Sequence, residues 1–359
     1  MFKNQGKTLM MKFIGFMASL LLLTFPILAQ ELPKLVLKDA VSTYDDFEVS
    51  YCMEEIDSNL SIKDMGKCNF SSTANAFSFG HKKNNFWFRF AVYNDSDKNK
   101  NMVLEVTEIF HKTVDLYAIS ENIRFSKNGL SVPLESRQVK EANPSFNVAF
   151  KAYERKELYV HLQSDYGVFA AIKLKTDKEF EKDVQNKKYI YLMYLIIIAL
   201  IALYNLVLFF YLKEVVYLYY IAYVFVFILW VANYKGVLLP FITMEIYNSL
   251  QITIPIFFTL FILFSRSILG TEKYFPKIDK VLHIFIAICM MIFMWMLVDI
   301  HSGMYVMNLI STLMLPFLLF VAFWALHHGH SIAKIYLLAL SIYIFGISWL
   351  VGHSQGLNL

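Results

Sequence analysis

The sequence predicts a two-part membrane protein, an N-terminal all-β sandwich followed by an all-α transmembrane bundle of six helices. Two patterns and one bulk property carry that prediction. Apolar stretches of membrane-spanning length follow one another across residues 189–351, with only short polar breaks. Residues 30 to about 183 instead alternate short apolar runs with turn-forming clusters, the mark of strands. The chain as a whole is 57% hydrophobic, and only 17% of its 359 residues are charged, against roughly 25% in soluble domains. Its net charge of +4 is spread out with no basic stripe, so nucleic acid is not an expected partner.

Residues 1–29 read as a signal peptide. Lys3, Lys7 and Lys12 precede an unbroken apolar run from Phe13 to Leu28 that ends at Ala29. An uncleaved anchor is the alternative; in both cases Gln30 onward is exported. Cys52 and Cys68 then lie in an oxidising compartment, where they either pair or remain two free thiols. Cys289 lies within an apolar helix and reads as a small buried hydrophobe.

The exported domain, 30–183, is large enough for one core. Its expected strands are 86–93, 102–106, 113–119, 146–150, 157–162 and 168–174. Trp87 and Arg89 stand two apart on the first of these and so share a face. Trp87 is either a core residue or a platform for a sugar ring. Arg89 needs a buried partner or a wet edge. A charged, helical segment, 177–188, feeds the first span.

A span takes about 20 mostly apolar residues. The six candidates are 189–212, 215–233, 249–268, 281–298, 304–326 and 332–351, with a short tail at 352–359. If the sandwich is outside, Lys213, Arg266, Lys273, Lys277, Lys280 and Lys334 all fall in inner loops, as the positive-inside rule requires. Lys187 and Lys188 run against that rule. An even span count places the tail outside and makes 265–280 the main inward-facing docking surface. Asn205 is the clearest polar residue within a span, expected to hydrogen-bond another helix and set register. Pro255 and Pro316 fall inside spans three and five and are expected to kink them.

No phosphate-cradling loop, HExxH or nucleophile elbow is present, so the chain is not expected to be an enzyme, and no cofactor is implied. His327, His328 and His330 cluster at an inner boundary, but without a nearby Cys or carboxylate they read as an interfacial loop rather than a metal site. Asp299 and His301 sit at an outer helix end, where polar residues are ordinary.

Several segments together resemble the bacterial seven-transmembrane receptors with diverse intracellular signalling modules. Leu203-Tyr204-Asn205-Leu206 followed by Val216-Tyr217-Leu218-Tyr219-Tyr220 is similar to that family's first-span signature and the aromatic start of its second span. Ser265-Arg266-Ser267-Ile268-Leu269 with Pro276-Lys277-Ile278-Asp279 resembles its third inner boundary, and Gly329-His330-Ser331-Ile332-Ala333 the start of its sixth span. Phe86-Trp87-Phe88-Arg89-Phe90 with Asn94-Asp95-Ser96, and Leu60-Ser61-Ile62 before them, resemble its extracellular sensory domain.

The resemblance implies a jelly-roll-like sandwich related to carbohydrate-binding modules and a receptor of the inner membrane. It implies a small-molecule or carbohydrate ligand outside, and a signal passed through the helices. It also implies a seventh span and a kinase, cyclase or phosphatase output module, neither of which falls within these residues. A separate cytoplasmic signalling partner, or a homo-oligomer, is then expected. A transporter subunit and a ligand-free scaffold are the competing classes. A transporter should show internal repeats or midplane charges, and neither stands out.

Overall fold

The computed structural model describes residues 32–54, 60–80, 84–165 and 167–354. The expected signal peptide lies outside the described residues. The strands are β1 (Lys34–Leu37), β2 (Thr43–Tyr44), β3 (Glu48–Met53), β4 (Ser71–Ala74), β5 (Ala76–Ser78), β6 (Phe86–Asn94), β7 (Lys100–Val106), β8 (Thr113–Ile119), β9 (Ile123–Asn128), β10 (Ser145–Phe150), β11 (Arg155–Gln163) and β12 (Phe169–Thr176).

They form two sheets. One runs β4-β3-β6-β11-β8-β9, and the other β10-β7-β12-β2, with β5 also on β12. Among the described residues all pairings are antiparallel except one. β3 pairs with the first half of β6, and β1 continues that edge in parallel from Lys34 opposite Ala91 to Leu37 opposite Asn94.

The alternation that predicts strands also decides the core. On β6, Phe86, Phe88, Phe90 and Val92 point between the sheets and are fully buried. They meet Leu104 and Val106 of β7, Phe146 and Phe150 of β10, and Ile172 and Leu174 of β12. Phe77 stacks on Phe88 at 4.1 Å, and Phe79 on Phe86 at 4.6 Å. Truncating any one of these rings would cost roughly 3–5 kcal/mol. The odd positions, Trp87 and Arg89, face away from this core.

Six long helices follow: α1 (Asp177–Leu212), α2 (Val215–Tyr234), α3 (Thr253–Leu269), α4 (Pro276–Met296), α5 (Ile300–His327) and α6 (Ile332–Ser354). Among the described residues five helical stretches are long and apolar enough to cross a membrane; the apolar stretch of α6, Ile332–Gly346, is shorter. Ile262, Leu282, Cys289, Met314, Leu318 and Ala322 form the bundle core contributed by α3, α4 and α5, and Ala333, Tyr336 and Leu340 add α6. α1 leans on α2, and its remaining surface, including Ile190, Met193, Ile197, Leu200 and Tyr204, stays exposed. Apolar exposure of that extent on a spanning helix is lipid contact.

The three residues marked in the spans are placed as follows. Asn205 donates to the Ile201 carbonyl of its own helix at 2.8 Å rather than across an interface. α1 lies at the margin of the bundle, so the i−4 carbonyl is the partner at hand. Pro255 lies in the first turn of α3, where a missing backbone N–H is tolerated. The irregularity falls just before it, as the 3-10 turn Leu250–Ile252. Pro316 is interior to α5, and the helix continues through it.

Candidate functional site

The outward face of the first sheet carries the predicted pair. Cross-strand register builds one row from Cys52, Trp87, His161, Asp115 and Lys127, and the next from Ser50, Arg89, Tyr159, Tyr117 and Phe125. Trp87 stacks on His161 at 4.3 Å and lies 5.6 Å from Tyr117, which in turn meets Phe125 at 4.9 Å. Phe125 is 54% exposed while Trp87 is 1% exposed, so the aromatic strip is open at one end and covered at the other.

The cover is the segment from Leu60 to Phe70. Leu60, Ile62, Met65, Cys68 and Phe70 pack on Cys52, Trp87 and Tyr159. Its middle is the 3-10 helix Ile62–Lys67, held by Ser61 Oγ donating to Asp64 Oδ2 at 2.6 Å and by a Lys67–Asp64 ion pair at 2.8 Å. Those hydrogen bonds, led by the one from Lys67, keep the Asp64 carboxyl down at about 2. The Arg89 guanidinium lies over the Phe70 ring at 3.8 Å. A disulfide joins Cys68 at the end of the cover to Cys52 on β3, with Cα atoms 6.1 Å apart.

On the same face as the cover, several polar atoms lack partners. Among the described residues Ser50 Oγ, Trp87 Nε1, Arg89 Nε and Asp115 Oδ1 are buried and accept or donate no hydrogen bond. Buried polar atoms are nearly always paired, so four orphans on one sheet face mark a place built for something else. Glu54 and His161 border them, with His161 Nε2 3.2 Å from Glu54 Oε2 and Nδ1 3.9 Å from Asp115 Oδ2. Trp87 and Arg89 are thus brought together as the sequence implies. Ser50, Glu54, Asp115 and His161 carry no motif, and only strand register reveals them.

A second constellation ties the sandwich to the membrane. Thr176 ends β12 and caps α1, so the last strand becomes the first span without a linker. Around this junction Lys175 Nζ lies 2.7 Å from Glu105 Oε2 and 2.5 Å from Asp183 Oδ2, and Lys187 Nζ lies 2.9 Å from Asp183 and 3.3 Å from Glu105 Oε1. The four charges close a ring spanning β7, β12 and α1. Lys188 pairs with Glu141 at 2.9 Å. Lys187 and Lys188, the two that run against the positive-inside rule, are thus paired with carboxylates of the sandwich and of α1. Burial pushes the Glu105 carboxyl up, but the Lys187 and Lys175 ammoniums outweigh it and hold the group below its ordinary value.

The loop after α2 seals the joint. Leu239 and Tyr247 pack with Ile109, Leu130, Leu134 and Ala142 of the sandwich. The Tyr247 hydroxyl donates to the Asn233 carbonyl at 2.7 Å. Phe110 reaches Tyr234 of α2. Arg137 is buried and donates to the carbonyls of Val132, Gly129 and Glu141, which fixes the loop presenting Ala142.

His111, beside Phe110, is fully buried, and that burial pushes its imidazole from an ordinary 6.5 down to about 4, with a weaker opposing pull from the Thr107 backbone. The unfolded chain therefore takes up this proton at a higher pH than the folded one. Stability from His111 is complete above pH 6.5 and is lost as pH falls toward 4, by up to about 1.4 kcal/mol per unit. Thermal melting of the full chain between pH 7 and pH 5 should show that slope, and His111→Leu should flatten it. An unchanged slope in the variant would assign the pH dependence elsewhere.

At the other end of the bundle Arg266 of α3 makes a two-pronged pair with Asp279 of α4, at 2.7 and 2.9 Å, and Thr271 donates to the same carboxylate. Ser265 and the Tyr336 hydroxyl lie 2.6 Å apart, joining α3 to α6. His328 and His330 pack on Phe275 and Tyr274. Among the described residues no group of three or more His, Cys, Asp or Glu could hold a metal.

This layout of sandwich, junction and bundle is what two family models recognise. A model described as 7TM diverse intracellular signalling matches residues 187–357, and one described as 7TMR-DISM extracellular 2 matches residues 47–176. No curated protein matches the chain. With both models falling in their proper order on the two structural parts, the chain belongs to the 7TMR-DISM family of membrane sensory receptors, with an extracellular domain of the second type.

Proposed function

We propose that this chain is the sensing and transmitting part of an inner-membrane receptor. A small extracytoplasmic ligand, carbohydrate-like in carrying hydroxyl groups, is bound on the outward face of the first sheet. Ser50, Trp87 and Arg89 offer hydrogen-bond donors, Asp115 offers an acceptor, and the Trp87–Tyr117–Phe125 strip offers aromatic faces. A hydroxylated ring suits that set because each hydroxyl both donates and accepts.

The observation that carries the reading is the unbroken passage from β12 into α1 inside the Glu105–Lys175–Asp183–Lys187 ring. A ligand can shift an equilibrium only by its unequal affinity for two states. A change in sheet geometry has a short mechanical route to the helices here, and no flexible linker to absorb it. The helices would then present the change at 265–280, where a separate cytoplasmic signalling partner docks. No catalytic step is assigned to the chain. The transporter alternative finds no favouring observation, since the Arg266–Asp279 pair is near helix ends rather than at mid-span.

Hydrogen exchange on the full chain in lipid nanodiscs, with the Cys52–Cys68 disulfide first intact and then reduced, tests this with four probes: glucose, galactose, mannose and N-acetylglucosamine. At least one should protect peptides covering 86–93 and alter exchange across 235–252, and Asp115→Asn should abolish both effects. If none protects the sheet, the ligand class is wrong. Protection of the sheet with an unaltered joint would defeat the transmission route.

A further inference from the structure

We propose that the Leu60–Phe70 segment is a closed cover over the Ser50, Trp87, Arg89 and Asp115 face, and that the Cys52–Cys68 disulfide is its latch, opened by a dithiol reductant. This rests on the reading of that face as the ligand site and adds how access to it is controlled.

Three observations converge. The face is equipped for a ligand, yet in this structure it is shut, with Trp87 1% exposed beneath Met65 and Cys68. The cover has its own internal order through the Ser61, Asp64 and Lys67 contacts, so it can move as one piece. Among the described residues it is fastened to the sheet where Leu60 N donates to Glu54 Oε1 at 2.7 Å, where Phe70 lies under Arg89 and the chain enters β4, paired with β3 from Ser71 opposite Tyr51, and where the disulfide fixes Cys68 to the strand beside Trp87. Of the side-chain fastenings only the disulfide is covalent, and it joins residues 16 apart in sequence.

The latch is reachable from one side. Cys52 is buried, whereas Cys68 is half-buried between the exposed residues Lys67 and Asn69. A dithiol's thiolate attacks Cys68 Sγ and forms a mixed disulfide there. Cys52 leaves as thiolate and takes a proton from water. The second thiol then displaces Cys68, which also ends as a thiol. Two electrons pass from the dithiol to the cystine, and the reductant leaves as its own disulfide. The sandwich core is on the opposite side of β6.

The test uses the full chain in lipid nanodiscs, with hydroxyl-radical footprinting read residue by residue, before and after dithiothreitol. Reduction should raise Trp87 oxidation at least tenfold and leave Phe88, its core-facing neighbour, unchanged. Cys68→Ser should reproduce the reduced pattern without reductant. Met65→Ala, which loosens the cover while keeping the disulfide, should raise Trp87 oxidation in the oxidised protein. Should Trp87 remain as protected as Phe88 after reduction, or should Phe88 become reactive with it, the latch is refuted. The first result means the cover does not open; the second means the bond merely supports the fold. Sugar protection of 86–93 in reduced protein reports on the ligand reading separately. The cover can thus fail with the receptor reading intact, and the reverse.

Discussion

Glu105→Ala should destabilise the joined sandwich and first span by about 3 kcal/mol, the low end of the roughly 3–5 kcal/mol typical of breaking a buried ion pair from one side. Glu105 is 1% exposed and receives both Lys175 and Lys187. Of the two, Lys187 reaches water, but the Lys175 side chain is only 5% exposed and cannot be rehydrated in place. Asp183 remains beside Lys175 and offsets part of the loss, which is why the low end applies.

The reasoning also predicts a partial rescue. Glu105→Leu combined with Lys175→Met removes both partners, leaving the Asp183–Lys187 pair on one helix face, and should be markedly less harmful than either single change. Additive single and double effects in thermal melts would show that the ring is not a coupled unit. The pH dependence gives an independent check. Glu105 is held below its ordinary 4.5, so its contribution is full above that pH and is lost only as pH falls further. The His111 loss begins near 6.5, so two successive phases should appear in acid, and each variant should remove its own.

The sequence revealed most of the strongest elements for a simple physical reason. Burial on one face of a strand enforces period two, which β8 shows, while β6, buried on both faces, reads as a short continuous apolar run. The spans were equally visible, because lipid enforces unbroken apolar runs. Outside the expected set lie β1, β2, β4, β5 and β9, short or largely exposed strands whose composition a core constrains little, and also β3, whose run Glu48–Met53 mixes buried polar Ser50 with Val49 and Cys52 and so lacks a clear apolar pattern. The Trp87–Arg89 pair was legible because both residues lie on one strand. Ser50, Asp115 and His161 join them from three other strands, and a single sequence does not state which strands are neighbours. Likewise Arg266 and Asp279 stood in one recognised segment, while their pairing depends on the turn through Thr271. Asn205 misled because a polar residue within a span suggests an interhelical bond, yet its own helix offered a carbonyl.

Gly236→Ala should separate the sandwich from the outer ends of the helices. Gly236 follows the last turn of α2, with φ at +71°, and Val237 N donates back to the Ala232 carbonyl at 2.9 Å, so the chain reverses through a left-handed residue. A side chain there costs roughly 1–2 kcal/mol in backbone strain alone. A Cβ would also stand 2.5 Å from the Ala142 Cβ, a distance that carbon atoms do not sustain. Ala142 cannot yield easily, because Arg137 grips the carbonyls on both sides of its loop. The overlap adds roughly 1–3 kcal/mol if the interface holds. Opening the joint relieves the overlap, so the cost should appear as undocking rather than as global unfolding. Exchange across 130–142 and 235–252 should rise at least tenfold, while peptides covering 86–93 and 146–150 keep their protection. Ala142→Gly in the same chain removes the overlap but not the strain, and should recover part of the docking. Complete recovery would mean that backbone strain contributes nothing. No loss in the single variant would mean that this contact does not hold the joint, and that the charged ring between β12 and α1 couples the two parts by itself.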